Sequence, residues 1–355
     1  MIRVALIGAG SQGSALARTM VDELANVASL TVVCDVDEAA ARGVGAGDHC
    51  TDYRLAIDRD DVDAVFIVVP PGLHREITVF AADCGKHVFC EKPMAVSVKD
   101  GQEILATCDA ARVMLMIGYP FRYGENRETL HNWLQEGRIG RPVMWRETLP
   151  LYAEGQRWLP DPVLGGGAIY EYSHSIDFAC YTFGKPVSTY AQLFTFAQGD
   201  GRIAHDSFTC VIRFESGDLY QISGFGMLPM FRDASQAFGG SHRYRENDVV
   251  GPRGAIYTGT REDGTTGMVL SENVGSTSQK LTHHPWTGWS GFASKPPLAM
   301  LQDFFYGIRT GNYDTRNNGQ QGLQTLRVLA ACVESSRSGH AVTLNPGPLP
   351  HPYVE

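Results

Sequence analysis

The chain has 355 residues, 43% hydrophobic and 19% charged, which is globular composition with room for two cored domains. Asp and Glu number 39 against 30 Lys and Arg, and this diffuse net charge of −9 argues against nucleic acid and anionic membranes as partners. The longest apolar runs, such as 64–69, are strand-sized and too short to cross a bilayer.

Cysteines at 34, 50, 84, 90, 108, 180, 210 and 332 form no Cys-x-x-Cys pair and read as reduced core thiols. Met1 runs almost directly into a strand pattern, with no signal-peptide pattern ahead of it. A cytoplasmic protein is expected.

Residues 2–7 are apolar apart from Arg3, as in a parallel strand buried on both faces. Gly8-Ala9-Gly10-Ser11-Gln12-Gly13 follows, then helical spacing over 14–28 and a second apolar run that ends at Asp35. This strand–loop–helix–strand order is that of a dinucleotide-binding unit. Gly8 allows the tight turn, Gly10 lets backbone approach a pyrophosphate, and Gly13 lets helix and sheet pack closely. Ser11 and Gln12 open the helix, whose N-terminus favours phosphate. Asp35 can accept hydrogen bonds from ribose hydroxyls and would repel a 2′-phosphate, so NAD is expected rather than NADP.

A third strand pattern over 63–69 ends in Val69-Pro70-Pro71, where the prolines stop the ladder and form a rigid floor beside the cofactor. His74 opens the next helix. Strand 86–90 runs into Glu91-Lys92-Pro93, helix 98–111 and strand 113–117 follow, and Gly118-Tyr119-Pro120 marks a change of domain. Ligands of an open parallel sheet sit outside the carboxyl ends of its strands, so Lys92 is placed to face the cofactor.

Beyond residue 120 the pattern changes. A helix is expected over 126–136 and strands over 142–148, 188–196, 207–214 and 219–225, with a hairpin turn at Glu215–Asp218. Shorter strands fit 255–257 and 267–270, and helices fit 297–309 and 320–338. Residues 230–254 and 271–296 lack periodicity and read as long loops around a substrate mouth. His283-His284 has no suitably spaced carboxylate, so no metal is expected. The expected architecture is α/β: a Rossmann domain over 1–120, then an α+β domain over 121–355 with an open, mostly antiparallel sheet. The exposed face of that sheet suits a homodimer or homotetramer.

The second informative run is Gly165-Gly166-Gly167-Ala168-Ile169-Tyr170-Glu171-Tyr172-Ser173-His174, a glycine turn opening a helix. On an unbroken helix Glu171 and His174 lie about 60° apart, on one face. A carboxylate beside an imidazole fixes its tautomer and raises its basicity, as removal of an alcohol proton requires. Lys92 would then stabilise developing alkoxide charge while His174 takes the proton. Arg122, Arg157, Trp158, Tyr170 and Tyr172 supply donors and aromatic faces for a polyhydroxylated substrate.

These runs, with Gly85–Pro93, Arg122-Tyr123 and the tail 319–339, resemble the glucose–fructose oxidoreductase and inositol dehydrogenase (Gfo/Idh/MocA) family over essentially the full length. The resemblance implies NAD(P)-dependent oxidation or reduction of hydroxyls on sugars, polyols and inositols. It also implies catalytic roles for Lys92 and His174, cofactor contacts from Val69, Pro70, His74 and Glu91, and a cis Lys92–Pro93 peptide. Many members place Asp four residues before the histidine, where this chain has Tyr170. Either Glu171 takes that role or Tyr170 contacts the substrate, with Asp177 in reserve. A non-catalytic NAD-binding sensor and an NAD-recycling glycosidase are the alternatives.

Overall fold

The computed structural model describes residues 1–45, 47–151, 158–195, 204–226, 246–274, 278–286 and 297–344. The chain divides into two compact units. The first comprises Met1–Arg127 together with Pro162–Gly166 and residues 297–326. Beyond the single division near residue 120 that the sequence suggests, two later stretches therefore pack with the N-terminal unit.

The first unit is built on six parallel strands: β1 (Ile2–Ile7), β2 (Ala28–Cys34), β3 (Asp48–Cys50), β4 (Ala64–Ile67), β5 (His87–Glu91) and β6 (Leu115–Gly118). Their spatial order is β3-β2-β1-β4-β5-β6, the doubly wound arrangement. Helices α1 (Ser11–Glu23), α2 (Glu38–Gly43), α3 (Tyr53–Ile57), α4 (His74–Asp83) and α5 (Val98–Ala111) connect them. Short polar side chains start several of these helices, because their first N–H groups have no partner within the helix. Asp37 accepts from Ala39 N at 2.9 Å, Asp52 from Arg54 N at 3.0 Å, and Ser97 from Asp100 N at 3.1 Å.

Strand β4 is buried throughout. One of its coverings comes from far along the chain. Helix α9 (Leu298–Thr310) sets Met300, Leu301, Phe304 and Phe305 into the core beside Phe66 and Phe89. Phe66 stacks on Phe89 at 4.7 Å and meets Phe304 edge-on at 5.3 Å. The first turns of α10 (Gly319–Ser338) bring Leu323 and Leu326 against Gly101 of α5, so closely that a Cβ on Gly101 would lie 2.6 Å from Leu326.

The second unit has a nine-stranded sheet in the order β14-β13-β12-β11-β7-β10-β9-β8-β15. Its strands are β7 (Met144–Leu151), β8 (Pro186–Phe194), β9 (Ser207–Phe214), β10 (Leu219–Gly226), β11 (Glu246–Gly251), β12 (Gly254–Thr260), β13 (Thr266–Val274), β14 (Ser278–Pro285) and β15 (Val342–Thr343). All neighbours are antiparallel except β7 and β10. Helices α6 (Glu125–Gln135), α7 (Ala168–Glu171) and α8 (Ser173–Phe183) precede most of it. Trp145 is fully buried against Tyr220 and the edges of Phe178 and Phe183 from α8.

Two strands occupy stretches that read as loops. β11 is short and polar, yet pairs with both β7 and β12. β14 pairs with β13 over eight residues and carries His283 and His284 opposite Val269 and Met268. Edge and polar strands need no apolar alternation, since their neighbours supply the ladder. Of the expected substrate-mouth loops, residues 230–245, 275–277 and 287–296 lie outside the described residues.

Candidate functional site

The candidate cofactor residues lie at the carboxyl ends of β1, β2, β4 and β5. The switch point of the sheet falls between β1 and β4, where a crevice opens in folds of this order. Gly8 has φ +99°, and a Cβ there would lie 2.1 Å from Val68 O. A Cβ on Gly13 would lie 2.0 Å from Gly8 O, so turn and helix close on each other only as glycine. Gly10 differs: a Cβ there would meet nothing within 4 Å. That open approach, at the N-cap of α1, fits a pyrophosphate lying on the Ser11–Gly13 turn.

Asp35, just beyond β2, accepts from Ala9 N at 2.7 Å and from Asp37 N at 2.9 Å. Its carboxylate thus pins the loop, and a carboxylate keeps further acceptor capacity for ribose hydroxyls. Gln12 donates to Glu91 at 3.1 Å, and the other oxygen of Glu91 accepts from Lys92 N at 3.1 Å. Glycine loop and lysine strand end are therefore tied through one buried carboxylate, a link that sequence spacing does not reveal. The Lys92–Pro93 peptide is cis.

His74 is fully buried. Its Nε2 lies 2.8 Å from Val69 O and its Nδ1 2.9 Å from Pro93 O. Burial pushes its pKa down to about 4 against the opposing pull of the Val69, Pro93 and Met94 carbonyls. With no exposed surface it shapes the backbone at Val69, Pro70 and Pro93, which corrects the expectation of a direct cofactor contact. Gly72 donates to Leu164 O at 2.8 Å, and a Cβ there would lie 2.3 Å from Val163 O, so 162–166 docks beside Pro70 through a glycine. Arg122 is also buried, 2% exposed, and donates to Arg316 O and Gln321 Oε1. Its described bonds make it a tie to the start of α10, where a substrate contact was expected.

The remaining candidate residues follow the triple-glycine turn. Gly166 and Gly167 have φ +81° and +90°, the left-handed region that side chains avoid. Helix α7 follows but stops after Glu171. Tyr172, at φ −79° and ψ 10°, interrupts the chain before α8 begins at Ser173. This corrects the expectation of one continuous helix, and with it the argument that spacing alone places Glu171 on the face of His174. Within α8 the residue three positions from His174 is Asp177, so those two share a helix face. Both are buried, His174 at 4% and Asp177 at 0% exposure.

Tyr170 is buried, and burial pushes its hydroxyl up to about 12. Tyr172 donates to Leu149 O at 2.9 Å and packs edge-on to Phe208 at 5.3 Å. It is a core residue with its hydroxyl engaged, not the open aromatic face expected of a sugar contact. Trp158 is partly buried, its carbonyl accepting from Asp161 N, and Arg157 lies outside the described residues. Among the described residues no group of three or more His, Cys, Asp or Glu could hold a metal ion, and no helix is long and apolar enough to cross a membrane.

Residues 2–119 match the family model described as an oxidoreductase family NAD-binding Rossmann fold, and residues 132–344 match the C-terminal α/β domain of the same family. The chain belongs to the Gfo/Idh/MocA oxidoreductase family. Within it, the 1,5-anhydro-D-fructose reductase of Ensifer adhaerens is 27% identical over 98% of this chain and 100% of the relative. The myo-inositol 2-dehydrogenase of Thermotoga maritima is 27% identical over 79% of this chain and 82% of the relative. The structure of a levoglucosan dehydrogenase in complex with NADH and levoglucosan superposes with a TM-score of 0.81 at 21% identity, covering 98% of this chain and 100% of that one. At that identity the likeness is one of fold. The protein is an oxidoreductase with an NAD-binding Rossmann domain.

Proposed function

We propose that the protein catalyses NAD-dependent oxidation of a secondary hydroxyl on a sugar, sugar acid or inositol. Bound nicotinamide supplies the hydride acceptor at C4. Lys92 donates a hydrogen bond to the substrate oxygen and stabilises its developing negative charge, and His174 takes the hydroxyl proton. The C–H electron pair leaves with hydride, the O–H pair becomes the second carbonyl bond, and the proton rests on the imidazole. Asp177, on the same helix face, or Glu171, just across the break, supports the imidazolium that forms. Tyr170 and Trp158 remain as candidate substrate contacts.

The observation that supports this reading most is the tie from Gln12 through Glu91 to Lys92, which couples the lysine backbone to the dinucleotide loop. The named relatives act on anhydro sugars and inositols, which supports the substrate class. Asp35 favours NAD, because a 2′-phosphate would meet its charge.

The test is a panel of myo-inositol, scyllo-inositol, levoglucosan, D-glucose and D-gluconate read at the NADH absorbance with NAD and NADP in parallel. Turnover of at least one member, with NAD the better cofactor by about tenfold or more in kcat/KM, is expected. Lys92→Met should be silent, as loss of both charge and donor removes several kcal/mol of transition-state stabilisation, about 10²- to 10³-fold in rate. NADH bound tightly with no turnover of any member would instead identify a sensor.

A further inference from the structure

Helix α7 begins with two N–H groups that its own turns cannot satisfy, and one residue from the β8–β9 connection satisfies both. Ala168 N donates to the His205 carbonyl at 3.0 Å, and Ile169 N donates to His205 Nε2 at 3.0 Å. The same imidazole packs against the glycine turn, where a Cβ on Gly167 would lie 2.8 Å from His205 Cε1 and 2.9 Å from Nδ1. His205 thus grips the start of the segment that carries Tyr170 and Glu171.

That segment is short. Tyr172 N returns to Ala168 O at 3.2 Å, and Ser175 N and Ile176 N return to Tyr172 O at 3.0 and 3.3 Å. One chain of hydrogen bonds therefore runs from His205 through Ala168 and Tyr172 into the first turn of α8, where His174 sits. We propose that His205 is a positioning residue, its ring nitrogen setting the orientation of Glu171 and His174 without touching the reacting atoms. This rests on the reading of His174 as the base.

The geometry also assigns a tautomer. Nε2 accepts a hydrogen bond, so it carries no proton, and the ring is neutral with its proton on Nδ1. Burial pushes its pKa down to about 4, with Asp206 opposing, which agrees with a neutral ring. A glutamine at this position keeps an acceptor within reach of Ile169 N; a leucine of similar bulk does not.

The experiment compares full-length wild type, His205→Gln and His205→Leu, each labelled with ¹⁵N-histidine. In wild type one histidine should show the Nδ1–H tautomer, and its signal should vanish in both variants. His205→Leu should shift the ring resonances of His174, identified by their loss in His174→Ala, and His205→Gln should leave them near their wild-type positions. With the panel substrate turned over fastest, His205→Leu should lose about tenfold in kcat, the loss of one cap, while NADH affinity by fluorescence titration stays unchanged. His205→Gln should recover most of that loss.

Unmoved His174 resonances in His205→Leu would overturn the proposal, whether or not a substrate is known. So would equal losses of kcat and of melting temperature in both variants, which describe a purely structural role. Failure of the functional reading looks different: His174→Ala would then turn over as fast as wild type.

Discussion

At the scale of single residues, the candidate site depends on groups whose environment fixes one state. Gly8 and Gly13 admit no side chain because backbone oxygens stand about a bond length and a half away, at 2.1 and 2.0 Å from the added atom. Burial lowers the pKa of three histidines: His74 and His205 to about 4, and His87 in the same direction. Each binds its proton more weakly in the fold than in the unfolded chain, whose ordinary value is near 6.5. Between about pH 6.5 and 4 the unfolded state therefore holds more protons, and stability falls as pH falls through that window. A urea midpoint lower at pH 5 than at pH 7 is expected, before carboxylate protonation contributes. His205→Gln should flatten that slope; an unchanged slope would mean that its ring is already charged or exposed. The identities of these glycines and histidines were readable in the sequence, but their states depend on neighbours that the fold brings up to them, Val68 against Gly8 and Ala168 and Ile169 against His205.

At the scale of elements, the alternating and continuous apolar patterns located most strands and helices of the described chain. Helix 98–111 and strand 207–214 coincide with the sequence reading. Strands β11 and β14 fall in stretches expected as loops; β11 is held between β7 and β12, and β14 is an edge strand held by β13 alone, so neither needs an apolar alternation of its own. The break at Tyr172 was also missed, because a helical spacing of side chains says nothing about one residue leaving helical ψ. Helix α9 carries the clearest element-level consequence. Phe304 meets Phe66, Phe89 and Phe305 with centroids 5.3, 5.8 and 5.5 Å away. Truncating such a buried ring costs about 3–5 kcal/mol. Phe304→Ala should therefore lower the denaturation midpoint and weaken NADH binding, although the residue lies more than 200 positions from the glycine loop. Full NADH affinity together with an unchanged midpoint would place α9 outside this core.

At the scale of the molecule, one face of the nine-stranded sheet carries a lateral row fixed by strand register: Tyr257, Asp248, Arg146, Gln221, Val211 and Tyr190. Tyr190, Val211 and Tyr257 are 45%, 37% and 38% exposed, with Met144 and Val250 exposed beside them at 41% and 43%. Apolar side chains exposed on both sides of the Arg146–Asp248 ion pair are what an association surface would bury. A homodimer or homotetramer is therefore the expected state, measurable by light scattering on a sizing column. Val211→Arg with Tyr190→Arg should shift it toward monomer, and a wild-type monomer would remove this face from consideration.

The sequence by itself determined the class of the protein. Glycine spacing, the acid after the second strand, the Glu91-Lys92-Pro93 run and the triple glycine are local signals, each tied to a backbone conformation or charge that its own residues impose. Tertiary structure decided what those residues do. It buried His74, Arg122 and Tyr172 and engaged their polar atoms, and brought His205 onto the turn before Glu171. The physical reason is that a residue's chemistry is set by burial and hydrogen-bond partners, and these are supplied by segments far away in the chain.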